Sequence, residues 1–161
     1  MGAAMNYTIK AIPTTYAGVR FRSRLEARWA AFFDLCGWSW DYEPIDLDGW
    51  APDFILKFPI ADIYVEVKPV ETDSTHGFPA LPMPWREGSN DPFDKTRPYI
   101  NTLFVLALGA RPQADWIGVG RLSDGGHGYG GSWHDVHDNL RINGSTKRWA
   151  EAGNLVQWRK G

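Results

Sequence analysis

The chain contains little of three features that would narrow its class: cysteine, long apolar runs and net charge. Of its 161 residues only Cys36 is a cysteine, which excludes an internal disulfide and a zinc site built from several cysteines. No segment reaches the roughly 18 apolar residues of a membrane-spanning helix, and the N-terminal segment lacks the apolar stretch of a signal peptide. These absences predict a cytoplasmic protein with no membrane partner, in which Cys36 is a small core residue.

The charged residues are unevenly distributed, although the formal net charge is only −2. The N-terminal part, with Arg20, Arg22, Arg24 and Arg28, is basic, and the segment that follows it is mainly acidic. This arrangement would suit a polyanion held against a cation site, although solvated surface charges also account for it. The 9 tryptophans are unusually many, and their large rings can pack or stack on a ligand.

Hydrophobic periodicity predicts a single α/β domain over residues 1–161 that begins with a helix and three strands. Residues 1–20 indicate an extended N-terminal arm. Apolar residues at three- and four-residue steps predict a helix from Phe21 to about Cys36. Strands are expected over 38–44, 52–58 and 63–69, and their short connections favour an antiparallel meander against which the helix packs.

The second half of the chain begins with a long irregular segment. Residues 70–92, rich in Pro, Gly and Ser, predict a long loop or lid, and Pro98 limits any following helix to a short one. The pattern then predicts a central buried strand over 101–109, a neighbouring strand over 115–122 and a Gly-rich loop over 123–133. A helix over 145–154 with Ser145 as its cap and a last strand over 155–158 complete the prediction.

Two acids and a lysine occupy strand positions where apolar residues would be expected. Asp53 begins the segment "PDFILKF", and Glu66 and Lys68 end "IYVEVKP". Because side chains alternate along a strand, Glu66 and Lys68 share a face, and antiparallel pairing brings Asp53 to the same end of the sheet. Adjacent carboxylates repel unless a cation lies between them, and oxygen ligands suit Mg²⁺. We therefore expect Mg²⁺ on Asp53, Glu66 and the Val67 carbonyl, beside a lysine that can orient water or stabilise a phosphate.

Glu26 lies on the apolar stripe of the predicted first helix, together with Trp29. A carboxylate that faces the sheet is costly unless it is paired or lies near a cation, so Glu26 is expected to join the same site directly or through water. Ordinary ion pairs are the alternative for each charged residue taken alone. The partners would be Glu66 or Asp53 for Lys68, and Arg22 for Glu26.

Taken together, these residues resemble the PD-(D/E)XK nuclease superfamily, which has the restriction-endonuclease-like fold. The signature is matched by Pro52-Asp53, by Glu66-Val67-Lys68 and by the preceding helical Glu26. The segment "FRSRLEARWAAFFDLCGWSWDYEP" is also similar to small nucleases of phage and bacterial genomes. The resemblance covers Phe21 to Pro69 and the later strand "LFVLALGARP". It implies an α/β core in which a central mixed β-sheet is flanked by helices.

The resemblance also implies an activity: hydrolysis of DNA phosphodiester bonds by an endonuclease that depends on Mg²⁺, for which Mn²⁺ can substitute. Asp53 and Glu66 would bind the metal, and Glu26 would assist them. Lys68 would position the water nucleophile.

Candidate DNA contacts lie on either side of this signature. Arg20, Arg22 and Arg24 stand at the entrance of the predicted helix and could neutralise phosphates beside the cut site. In some relatives a later helix carries a polar residue four positions before a tyrosine, and Lys95 and Tyr99 have that spacing. Three aromatic residues in irregular segments could stack on unpaired bases or pack in loops: Trp85, Tyr129 and Trp133. Three histidines of the same region are expected in a solvated or DNA-facing turn: His127, His134 and His137.

Two other functions remain open from the sequence alone. A non-catalytic nucleic-acid-binding or assembly module could keep the same fold. A carbohydrate-active protein could use the tryptophans and the paired acids, although a glycosidase pair has no need of Lys68. A two-fold homodimer is compatible with double-strand cutting.

Overall fold

A five-stranded mixed sheet flanked by helices forms the centre of the fold. The computed structural model describes residues 11–70, 85, 91–113, 118–125 and 133–157. The sheet contains β3 (Ser39–Tyr42), β4 (Phe54–Lys57), β5 (Asp62–Val67), β6 (Phe104–Leu108) and β7 (Arg121–Leu122), in that spatial order. A separate hairpin, β1 (Thr14–Tyr16) and β2 (Val19–Phe21), precedes it. The helices are α1 (Arg24–Leu35), α2 (Trp133–Asp138) and α3 (Ser145–Leu155), and a 3₁₀ helix covers Asp94–Tyr99.

The sheet combines an antiparallel meander with one parallel strand pair. As predicted, β3, β4 and β5 are antiparallel neighbours, with Phe54 opposite both Tyr42 and Val65. Strand β6 runs parallel to β5, and β7 is antiparallel to β6. The apolar β6 is buried over most of its length, which agrees with the central strand predicted over 101–109. The α/β class with a mixed sheet is therefore confirmed.

Helix α1 contributes several fully buried apolar side chains to the core that it shares with the sheet. Ser23 caps its N-terminus in an extended conformation, and Gly37 follows its end with φ of 77°. Trp29, Phe32 and Phe33 are fully buried, and burying each such side chain contributes about 1.5–3 kcal/mol. The helix begins three residues later than predicted because Phe21 belongs to β2 and Ser23 is the cap.

The extended arm predicted over 1–20 is wrong from Thr14 onward, where the chain forms the hairpin of β1 and β2. Ala17 and Gly18 both have positive φ, 52° and 77°, as a tight two-residue hairpin turn requires. The hairpin packs against α1, and the Tyr16 hydroxyl donates to Asp34 Oδ2 at 2.6 Å. Residues 1–10 lie outside the described part of the chain.

The C-terminal half corrects several predictions. The strand expected over 115–122 is reduced to Arg121–Leu122 among the described residues. A short helix, α2, begins at Trp133, the last residue of the predicted loop, so the turn expected around His134 and His137 is wrong. Helix α3 continues to Leu155, so the last strand predicted over 155–158 is wrong for its described residues. Its cap position is Gly144 in the left-handed conformation, whereas Ser145 is a buried first helical residue. Most of the predicted loop over 70–92 is outside the described residues.

Helix α3 is fixed to α1 by an arginine and two tryptophans. The Arg28 guanidinium lies 4.1 Å from the centre of the Trp149 ring, and its Nε and Nη2 donate to the Trp149 carbonyl. The rings of Trp29 and Trp149 are 4.6 Å apart. Among the helices that the structure describes, none is long and apolar enough to cross a membrane.

Candidate functional site

Asp53 and Glu66 meet where β4 begins and β5 ends. Phe54 is paired with Val65, so the same register places Asp53 opposite Glu66. The Asp53 amide donates to the Val65 carbonyl at 2.9 Å, which continues the ladder by one residue. In return, Asp53 Oδ2 accepts a 2.8 Å hydrogen bond from the amide of Val67. The backbone of β5 therefore fixes the Asp53 carboxyl group at this end of the sheet.

The carboxylate of Glu66 is buried, with 6% of the residue exposed, and each of its oxygens has a donor. Trp50 Nε1 donates to Oε1 at 2.9 Å, and Lys68 Nζ lies 3.0 Å from Oε2. The Lys68 amide donates to the Leu108 carbonyl at 2.9 Å, so β6 holds the backbone from which the lysine projects. The ion pair considered for Lys68 is thus present, and its partner is Glu66.

Glu26 reaches the same end of the sheet from the first turn of α1. Its amide donates to Ser23 Oγ, and the Ser23 hydroxyl donates to Glu26 Oε1, both at 3.1 Å. The Tyr42 hydroxyl also donates to Oε1, at 3.3 Å. The expected alternative, an ion pair of Glu26 with Arg22, is wrong because Arg22 pairs with Glu43.

The carboxyl groups of Asp53 and Glu26 are neighbours and share a side-chain hydrogen bond. Burial, followed by the negative charge of Glu66, raises the pKa of Asp53 from 3.8 to about 9, against the opposing effect of the Val67 amide. Burial also raises the pKa of Glu26. Within the described residues, no Lys or Arg forms an ion pair with Asp53 or Glu26. At neutral pH and without a bound cation, we therefore expect this pair to share a proton.

The donor set at this end of the sheet consists of carboxylate oxygens, which suit Mg²⁺ and Mn²⁺. In the conformation described, no group of three or more His, Cys, Asp or Glu side chains among the described residues is arranged to hold a metal ion. The carboxylate of Glu66 is engaged by Trp50 and Lys68, and the carboxyl groups of Asp53 and Glu26 are engaged by each other. A cation would have to replace the shared proton.

The three candidate arginines differ in their surroundings. Arg20 is exposed on β2. Arg22 contacts Glu43 through two nitrogens, with Nε and Nη2 at 2.7 and 2.8 Å from the carboxylate oxygens. Arg24, the first residue of α1, has an Nε that is shielded from solvent and has no hydrogen-bond partner in the described part of the chain. Of these three arginines, Arg20 is exposed and forms no ion pair within the described residues, so it is the one free to bind a phosphate.

Lys95 and Tyr99 lie on the 3₁₀ helix, and only Tyr99 turns towards the candidate site. Its ring is 5.7 Å from that of Trp50, and its hydroxyl donates to the Asp48 carbonyl. Lys95 is exposed. The structure thus places Tyr99 behind the tryptophan that holds Glu66, and among the described residues its hydroxyl bonds to Asp48 and not to the acids themselves.

The aromatic and histidine candidates of the second half have local partners. Trp85 Nε1 donates to Thr96 Oγ1 at 2.7 Å, and the Trp133 ring stacks on His137 at 4.4 Å. His134 is exposed on α2. His127 and Tyr129 lie outside the described residues.

Sequence reasoning missed three residues that contact the acids: Ser23, Tyr42 and Trp50. Ser23 and Glu26 have the Ser-x-x-Glu spacing of a helix capping box, which is a signal readable from the sequence. Tyr42 lies on the same strand face as Trp40, so the side of the sheet on which its ring lies was predictable. Its hydrogen bond to Glu26 was not. Nothing in the sequence links Trp50 to Glu66, because that contact depends on the turn before β4.

No family model, curated protein or solved structure matches this chain. The geometry of the site is therefore the basis for any functional statement.

Proposed function

We propose that this chain is a Mg²⁺-dependent deoxyribonuclease of the PD-(D/E)XK type, with a restriction-endonuclease-like core, that hydrolyses DNA phosphodiester bonds as an endonuclease. The observation that carries the proposal is the environment of Asp53. Its carboxyl group is held by the Val67 amide among two other carboxyl groups, without an ion pair inside the described residues. Such a group is costly for the fold unless a cation or a proton neutralises it.

The acids fit Mg²⁺ or Mn²⁺ in chemical type. Asp53 and Glu66 would hold the ion, Glu26 would do so directly or through water, and the Val67 carbonyl is the remaining oxygen. Glu66 keeps its position through Trp50 and Lys68, and Asp53 through the Val67 amide. When bound, the ion would supply stabilisation of negative charge on the phosphate and lower the pKa of water.

The role of Lys68 follows from its partial exposure. Its side chain is 33% exposed and borders the buried Glu66, so the ammonium group can reach solvent by rotation about its side-chain bonds. A phosphate at this end of the sheet would compete with Glu66 for the ammonium group. Lys68 would then donate to the attacking water or to a phosphate oxygen and stabilise the charge that develops there.

DNA would approach this end of the sheet beside the hairpin that carries Arg20. Arg20 and Arg24 would neutralise phosphates, whereas Arg22 would mainly hold Glu43. Lys95 is a further exposed cation on the 3₁₀ helix, next to the segment of Tyr99. A homodimer would allow two such sites to act on opposite strands.

The test is a panel of divalent metals against duplex, single-stranded, flapped and branched DNA. We expect cleavage with Mg²⁺ or Mn²⁺, its loss in EDTA, and its loss in Lys68→Ala. Lys57→Ala is the matched control, because Lys57 is the other lysine of this antiparallel strand pair and contacts the exposed Asp41 at 3.8 Å. Folded protein that cuts none of these substrates would refute the catalytic proposal.

The ion pair between Lys68 and Glu66 favours a second candidate, a non-catalytic nucleic-acid-binding module of the same fold. In that case the lysine neutralises a buried acid and has no catalytic role. DNA binding would then depend on salt and would be indifferent to Lys68→Ala, provided that the variant folds.

A further inference from the structure

The indole of Trp50 is placed as rigidly as the acids of the candidate site, although it precedes β4 in a short irregular segment. Trp50 is 4% exposed. Its amide and carbonyl both bond to Leu47, at 3.2 and 2.8 Å, across the turn formed by Asp48 and Gly49. Gly49 has φ of 80°, a conformation that favours glycine. The backbone of this turn therefore fixes the position of the Trp50 Cα atom.

The ring of Trp50 is fixed from a second direction by Tyr99. The two rings are 5.7 Å apart, and the Tyr99 hydroxyl donates to the carbonyl of Asp48 in the same turn. The 3₁₀ helix thus closes over the outer face of the turn. With its backbone and its ring both held, the Trp50 indole can direct its single N–H group at one place, which is Glu66 Oε1 at 2.9 Å.

The two donors on Glu66 differ in what they can do during a reaction. Lys68 binds Oε2 through a flexible side chain that is one third exposed, and the proposed function requires its ammonium group to leave Glu66. Trp50 binds Oε1 through a neutral, buried group that has no other task. When Lys68 turns to water or phosphate, the indole is the one side-chain donor among the described residues that still holds the Glu66 carboxylate.

We propose that Trp50 is a positioning residue for the metal-binding carboxylate of Glu66, an inference that rests on the proposed function. It keeps the carboxylate of Glu66 oriented while Lys68 exchanges partners. Hydrogen bonds from outside a metal's own ligands orient those ligands, and their removal typically weakens metal binding about 10–100-fold. Trp50→Phe preserves a ring against Tyr99 and removes the N–H group, so we expect a weakening of Mg²⁺ binding in that range.

The experiment is calorimetric titration of Mg²⁺ into folded wild-type protein, Trp50→Phe and Trp40→Phe. Trp40 is the matched control because its indole N–H also donates to a carboxylate at 2.9 Å, that of Asp34, away from the candidate site. We expect Trp40→Phe to bind Mg²⁺ as wild type does. Equal affinity of Trp50→Phe and wild type, or an equal loss in both variants, would overturn the inference and leave the proposed function standing. A wild-type protein that binds no divalent metal would instead overturn the proposed function.

A second measurement needs no substitution and therefore does not depend on the folding of Trp50→Phe. In wild-type protein the indole N–H signals of Trp50 and Trp40 can be assigned and followed by NMR during a Mg²⁺ titration. We expect the Trp50 signal to shift and saturate with the calorimetric affinity, while the Trp40 signal remains unchanged. A Trp50 signal that does not move while Mg²⁺ binds would show that the indole does not hold a metal-binding carboxylate.

Discussion

Replacing Asp53 with asparagine should stabilise the metal-free protein. Burial and the nearby Glu66 raise the pKa of Asp53 from 3.8 to about 9, so at neutral pH we expect its carboxyl group to hold a proton that it shares with Glu26. The asparagine amide can donate to Glu26 in the same way, and its oxygen can accept from the Val67 amide as Asp53 Oδ2 does at 2.8 Å. The variant therefore keeps both hydrogen bonds at any pH, whereas the aspartate keeps its hydrogen bond to Glu26 only while it is protonated.

The size of the effect follows from the pH dependence of that proton. The folded-state pKa lies above the unfolded one, so the folded protein binds more protons between pH 3.8 and about 9, and its stability falls as pH rises through this range. Below about pH 4 the aspartate and its asparagine variant should be nearly equal in stability. Each pH unit above that increases the stability advantage of Asp53→Asn by about 1.36 kcal/mol, which gives an upper value of about 4 kcal/mol at pH 7. Water entry and side-chain movement relieve part of the destabilisation of the aspartate protein. We therefore expect Asp53→Asn to be more stable than wild type by about 2–4 kcal/mol at pH 7.

The assay is denaturant unfolding of both proteins in EDTA at several pH values between 4 and 9. Asp41→Asn is the control: Asp41 is exposed on β3 and 3.8 Å from Lys57, a surface contact worth about 0–1 kcal/mol. With saturating Mg²⁺ the difference should shrink, because the ion stabilises only the protein whose acids bind it. If Asp53→Asn is less stable than wild type at pH 8 in EDTA, or if the difference does not change with pH, then Asp53 does not have a raised pKa in the folded protein.

Three further predictions concern the cap of α1, the packing of β7 and the DNA contacts. Ser23→Ala should lower the free energy of unfolding by about 1 kcal/mol, since it removes the acceptor for the first turn of α1. Gly120→Ala should lower the free energy of unfolding by about 2–3 kcal/mol, because the added methyl group collides with the Ala107 carbonyl oxygen. Denaturant unfolding measures the effects of the serine and the glycine substitution. Arg20→Ala should weaken DNA binding and reduce the salt dependence of binding by about one phosphate contact. Arg22→Ala should have a smaller effect, because the Arg22 guanidinium group is paired with Glu43. Fluorescence anisotropy at several salt concentrations measures both effects.

Each of these predictions has a clear contrary result. Ser39, exposed on β3, is the control for the serine substitution. An equal loss of stability in Ser39→Ala would show that the effect of Ser23→Ala does not come from capping of α1. A Gly120→Ala protein as stable as wild type would show that β6 and β7 can separate without cost. A larger effect of Arg22→Ala than of Arg20→Ala would show that DNA displaces Glu43 from its arginine.

The strand pairing at the candidate site could be predicted because it depends on local rules. The alternation along β5 and the short connection to β4 are enough to place Asp53 across from Glu66. The helical position of Glu26 on an apolar stripe likewise indicates that it faces the sheet. These features require no knowledge of the distant parts of the chain.

The features that escaped prediction depend on turns and on distant contacts. The first hairpin requires positive φ at Ala17, which a sequence seldom signals at an alanine. The bond from Trp50 to Glu66 requires the turn at Gly49 and the ring of Tyr99, which lies far along the chain. At the C-terminus, the apolar residues after Asn154 predict a strand, but α3 continues through Leu155, and its buried Ala152 belongs to the core.

The proposed function requires that the site formed by Asp53, Glu66 and Lys68 hydrolyses DNA with a divalent metal ion. The rate of DNA cleavage at saturating Mg²⁺, measured for wild type and for folded Lys68→Ala, tests this. We expect metal-dependent cleavage that falls by about 100-fold or more in the variant, because the variant lacks a group that stabilises the transition state. Cleavage by the variant at the wild-type rate, or none by wild type on any DNA substrate, would contradict it.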